Sequence, residues 1–161
     1  MSKVFSACPL FDAHKTFVRL PMGTNMLQDY PDSEAFIDKI AIAIPDAPQE
    51  FLHTQSFLKS YSRKSEATYR SYRNEVERLL LWSWTVANKS IVSLRRADLE
   101  AYFDFVHSPP ANWVALSVAD RFRPIDGQSR QNQSWRPFVV KIAKQDRRKA
   151  LDNGLTMPAT T

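Results

Sequence analysis

The chain has one cysteine and three glycines in 161 residues, and each scarcity closes off a class of protein. A lone Cys8 permits no internal disulfide and no Cys-rich zinc site. The glycines, Gly23, Gly127 and Gly154, are too few for a fold of many tight turns and sit in no phosphate-cradling loop. A strand-rich fold and a glycine-built nucleotide site are therefore both unexpected. His14, His53 and His107 are scattered, without nearby cysteines or clustered acids, so no metal centre and no cofactor are expected. No apolar run approaches the ~20 residues that cross a bilayer, and no basic stretch followed by an apolar one announces a signal peptide. No membrane partner is expected, and the reducing cytoplasm is the expected compartment.

What is present describes a globular, basic protein. Hydrophobic residues make up 43% and charged residues 24% of the chain, which suits a packed core rather than disorder, and the length suits one ordinary domain. The net charge of +5 is unevenly spread. Residues 1–62 carry five Lys/Arg against seven Asp/Glu, residues 63–120 eight against seven, and residues 121–161 nine against three. A C-terminal basic surplus of that kind fits a polyanionic partner, although a merely soluble basic tail explains it too.

Periodicity predicts an all-α fold with helices near 34–44, 47–60, 64–87 and 96–107. Tyr69, Tyr72, Val76, Leu79, Leu80 and Val86 line one face of the longest helix, with Ser65 as its N-cap. Its opposite face carries Arg63, Lys64, Arg70, Arg73 and Arg78 with Glu66, Glu75 and Glu77 among them. Trp82 and Trp84 cannot share a helical face, so one is expected in the core and the other in a groove or against a neighbour. Leu99, Tyr102, Phe103 and Val106 form the expected buried stripe of the next helix. Residues 1–32, interrupted by Pro9, Pro21 and Pro31, read as an extended arm, making residues 1–45 an arm plus a short helix. The loop 108–134 has no useful pattern but carries Arg121, Arg123 and Arg130. Residues 139–151 read as a last basic helix stopped by Gly154, and 153–161 as a flexible tail.

One series adds a resemblance. Lys64-Ser65, Thr68 and Tyr72, then Leu79, Leu80 and Trp82, then Ser93-Leu94, Asp98-Leu99, Tyr102 and Phe105 are similar in order and spacing to the N-terminal, SAM-like core-binding domain of tyrosine recombinases, the phage-integrase family. Trp135-Arg136-Pro137-Phe138 resembles a segment that some members carry between the third and fourth helices. The resemblance covers roughly residues 46 to 140, within a candidate domain at 46–152. Arg95 departs from it, standing where the family has a Thr or Ser cap, and Asp98 in the first turn is expected to compensate through the helix dipole. The family's closing fourth helix is missing or replaced by residues 139–152.

The resemblance implies a module that clamps duplex DNA, with other recombinase protomers as further partners. The candidate contacts are Lys64, Ser65, Thr68, Arg70 and Arg73 at the entrance and polar side of the long helix, joined by Arg121, Arg123 and Arg136. Catalysis is not expected. The family places a His-x-x-Arg element and the nucleophilic tyrosine in a separate domain, and no histidine here is followed by arginine at that spacing. The competing expectation is a helical protein-interaction module whose exposed aromatics, Trp84, Trp113 and Trp135, bind a protein while the basic surface confers solubility.

Overall fold

Prolines and capping residues set most helix boundaries in the computed structural model, which describes residues 7–21 and 25–140. A single turn, α1 (His14–Phe17), precedes a 3-10 turn at Met26–Asp29 and the first long helix, α2 (Pro31–Ala43). Pro31 opens α2 at a position where a missing N–H costs nothing, and Pro45 lies just past its end. Helix α3 (Ala47–Tyr61) uses Pro48 in the same way. Helix α4 (Glu66–Trp82) begins at Ser65, whose side chain accepts the Thr68 N–H at 3.0 Å. It runs on as a π-helical turn, Ser83–Ala87, and stops at Asn88 in the left-handed region (φ 54°), where the Lys89 N–H closes on the Ser83 carbonyl. Helix α5 (Arg96–His107) lacks a hydroxyl cap, and Asp98 makes up the loss by accepting the Arg95 N–H at 2.9 Å and an ion pair from Lys89.

The fold is mostly helical, but it is not all-α. A parallel pair joins β1 (Val114–Ala115) to β4 (Phe138–Val139), and an antiparallel hairpin joins β2 (Phe122–Ile125) to β3 (Gln128–Gln131). The hairpin forms because Asp126 (φ 50°) and Gly127 (φ 77°) both adopt positive φ, the two-residue turn whose twist suits antiparallel strands. It is pinned to the start of α2, where Asp32 accepts from Arg130 at 3.0 Å and from the Gln131 N–H at 2.8 Å. The expected helix at 139–151 does not begin as one, since Val139 is strand. Residues 141–151, with the tail at 153–161, lie outside the described residues.

The core ignores the expected boundary at residue 45. Ala7, Leu10, Phe11, Phe17, Met26, Leu27 and Tyr30 join one hydrophobic cluster with Phe51, Leu58, Tyr69 and Leu81, so the N-terminal segment is part of the body rather than an arm. Phe11 stacks on Phe51 with ring centroids 5.1 Å apart. The buried carboxylate of Glu77 accepts both the Leu10 and Phe11 N–H groups, which replaces the backbone partners an irregular segment lacks. Helix α4 is thus covered on several sides. Trp84 donates to the buried Glu50 of α3 while Trp82 packs on Tyr102 of α5, and both indoles are buried where only one was expected in the core. On α5 the stripe is Tyr102, Phe105 and Val106; Phe103 faces solvent.

Candidate anion-binding cleft

Arg70, Arg73, Asn74 and Arg78 recur along α4 at three-, one- and four-residue steps, so their side chains rise along one flank of the helix. The facing wall is built from a later stretch of the chain: Ala115 of β1, Ser117 to Ala119, Arg121, Trp135 to Pro137, and Val139 of β4. Between them lies a cleft of about 460 Å³. Five arginines line it, and among the described residues no carboxylate, imidazole or thiol does. The lining can bind and orient an anion; it offers no candidate general base or nucleophilic thiol.

Each guanidinium is held differently. Arg121 pairs with the buried Glu77 at 2.6 Å, donates to Asn74 and the Phe11 carbonyl, and stacks over the Trp135 ring at 4.8 Å. Arg78 donates to the Pro137 carbonyl at 2.9 Å and to Glu75 at 3.0 Å, and lies over Phe138. Arg73 reaches the Asp12 carbonyl and Asn74. Arg136 donates to the Gln133 and Trp135 carbonyls. Arg70 is exposed and makes no hydrogen bond to a described residue. Five guanidinium groups against the paired Glu75 and Glu77 leave a surplus of three positive charges around the cleft. Burial, and after it the neighbouring Arg121, brings Arg73 down to about 10; burial lowers Arg78 as well. Both cations are therefore held where water solvates them poorly, and an anion in the cleft would relieve that penalty.

Of the eight residues expected to contact DNA, four meet here: Arg70, Arg73, Arg121 and Arg136. Two of these are not the free phosphate contacts expected. Arg73 is only 8% exposed, and the Arg121 side chain 10%. Segment 7–12 lies along α4 and uses both guanidinium groups to satisfy its carbonyls, a burial that the amphipathic pattern of α4 does not reveal. Lys64, Ser65 and Thr68 are elsewhere. At about 100° per residue Thr68 and Arg70 stand about 200° apart on the helix. Ser65 and Thr68 bond one another at the cap, and the Lys64 ammonium lies 5.1 Å from the Tyr61 ring centroid. They border an aromatic cluster of Phe57, Tyr61 and Tyr72, in which Tyr72 is 40% exposed rather than core. Arg123 is exposed on β2, opposite Arg130, outside the cleft.

Arg78, Asn74 and Trp135 complete the cleft and escaped the sequence reading as site residues. The helical spacing of Arg70, Arg73, Asn74 and Arg78 was the available signal. The aromatics expected to anchor a protein, Trp84, Trp113 and Trp135, are all buried. Among the described residues, no group of three or more His, Cys, Asp or Glu could hold a metal ion, and no helix is long and apolar enough to cross a membrane. Comparison with known proteins returns no match among family models, curated proteins or solved structures.

Proposed function

We propose that this chain is a DNA-binding module of the SAM-like, core-binding kind, which holds duplex DNA through its phosphates and is non-catalytic by itself. The observation that carries this reading is the convergence of five arginines from two distant segments on one cleft whose described lining holds no acid. The spacing resemblance over residues 46 to 140 adds to it. Arg70 and Arg136 are the groups at the cleft with most freedom to reach a phosphate, and Lys64 and Arg123 extend the positive surface beyond it. Cations and backbone-type donors of this sort position a protein on DNA and carry little base information. Binding is therefore weak and nearly sequence-blind, around 10⁻⁴ to 10⁻⁶ M at physiological salt.

Fluorescence anisotropy with random duplex DNA at two salt concentrations tests this. Affinity should fall steeply with salt, unrelated duplexes should compete almost equally, and Arg70→Ala with Arg136→Ala should lower the salt slope by about one per lost contact. Salt-independent binding, or none, would remove the proposal. A second reading, a protein-interaction module, is favoured by Val92 (82% exposed), Phe103 (66%) and Leu99 (40%), which lie on or just before α5. An apolar interface there would respond weakly to salt, and Phe103→Ser would weaken it while leaving DNA binding unchanged.

A further inference from the structure

We infer that the arginine cleft seats a phosphomonoester, the doubly charged phosphate of a nucleic-acid strand end or a free nucleotide, in preference to the diester phosphates that a continuous duplex lays across its mouth. The inference deepens the proposed function and rests on the cleft being an anion site. Size is the first argument. About 460 Å³ falls within the range of small-ligand sites. A duplex cannot enter such a space, and can only lay a phosphate or two across its mouth.

Charge is the second argument. A diester brings one negative charge and two non-bridging oxygens; a monoester brings close to two charges and three oxygens. The surplus of three positive charges around the cleft matches the monoester better. Donor supply is the third. A guanidinium has five N–H groups. Arg78 commits its Nε and Nη1 to Pro137 and Glu75, so Nη2 is left over among the described residues. Arg136 uses only Nη1 in the same sense, and Arg70 gives none of its donors to a described residue. The Arg78 and Arg136 forks sit on guanidinium groups already held by backbone carbonyls, and Arg78 also by the Phe138 ring, so little of their side-chain freedom is lost when an anion arrives.

The test compares two 12-base-pair duplexes of one sequence, with 5′-phosphate or 5′-hydroxyl ends, each labelled internally and titrated with the full chain by anisotropy. Adenosine 5′-monophosphate and inorganic phosphate serve as competitors and as calorimetric ligands. The phosphorylated duplex should bind about tenfold tighter, the equivalent of one charge-assisted hydrogen bond. That advantage should vanish in Arg70→Gln and in Ser117→Glu, two exposed positions in the lining whose replacement leaves the core untouched. Displacement by the free nucleotide and by inorganic phosphate would identify any monoester as ligand, whereas competition by phosphorylated ends alone would identify the strand end; both support the inference. Equal affinity for the two duplexes, with no heat from nucleotide or phosphate, would overturn it. In that event salt-sensitive duplex binding would leave the proposed function standing, and loss of all binding would end both.

Discussion

Replacing Glu77 with Gln should destabilise the chain by about 3–5 kcal/mol, the usual cost of leaving one partner of a buried ion pair alone. The magnitude follows from position. Glu77 is 1% exposed, its two oxygens lie 2.6 and 2.7 Å from the Arg121 Nη1, and the same carboxylate accepts the Leu10 and Phe11 N–H groups. Glutamine keeps an acceptor for the two backbone donors but leaves Arg121 charged, with only neutral partners in Asn74, the Phe11 carbonyl and the Trp135 ring. Glu77→Leu goes further and orphans both N–H groups, adding about 1–3 kcal/mol for each. Urea unfolding followed by tryptophan fluorescence measures this. At an m-value of about 1.5 kcal/mol/M the Gln variant should lose about 2–3 M in midpoint. Adding Arg121→Gln should recover part of the loss, because the stranded charge is removed. A Gln variant within about 1 kcal/mol of the parent would refute the reasoning, and would return Arg121 to the pool of free DNA contacts.

Two further outcomes follow from local geometry and two from linkage. Ser65→Ala should cost about 1 kcal/mol by removing the α4 cap, with Ser65→Asp close to neutral, as read by thermal unfolding. The Arg95 N–H, and after it Lys89, hold Asp98 below the usual carboxylate range. Its contribution is thus present above the ordinary Asp pKa and lost as pH falls through the lower folded value, so parent and Asp98→Asn should differ in stability near neutrality and converge in strong acid. Gly127→Ala should cost about 1 kcal/mol from its positive φ alone, since a Cβ there meets no atom within 4 Å; a larger loss in urea unfolding would point to a missed contact. Because an anion favours only the folded cleft, phosphate at 100 times its dissociation constant should stabilise by about 2.7 kcal/mol. At equal ionic strength sodium chloride should not reproduce that thermal shift.

The helices were legible wherever one local rule acted alone. Ser65 before a periodic run, Pro48 in a first turn and Pro45 after a last one each act within a single turn, and α4 and α3 begin, and α2 ends, close to where those residues predict. Asp126-Gly127 was equally local and was passed over, because the surrounding loop showed no apolar alternation; β2 is mostly exposed, and its register rests on backbone pairing and on Asp32. Long-range burial was not legible. Nothing in the run from Ala7 to Phe17 follows a period, since an irregular segment points each side chain wherever tertiary contact directs it, and Phe11 finds Phe51 across 40 residues. The same contact hid the roles of Glu77 and Arg121. On α4 alone Glu77 reads as one of several alternating surface charges, and only the chain lying over it makes it a core residue.

That overlay also explains how a site built from arginines can be both structural and receptive. A flexible arginine on a solvated face surrenders its rotamer freedom each time it meets a phosphate, and many such residues together bind poorly for their charge. Here Arg73, Arg78 and Arg121 are fixed by the Asp12, Pro137 and Phe11 carbonyls during folding, so the ordering cost is met by the core and not by the ligand. The surplus charge then cannot move away from itself, and Arg73, lowered first by burial, is lowered further by Arg121 beside it. A folded chain of this kind carries a standing electrostatic penalty at one place, and the penalty is relieved only by something anionic and small enough to enter. Glu77 limits it by neutralising Arg121, one of the enclosed members, leaving the outer arginines to act on whatever arrives. The division of labour between Arg121 inside and Arg70 at the mouth, rather than the total of basic residues, is what makes the cleft a credible anion site.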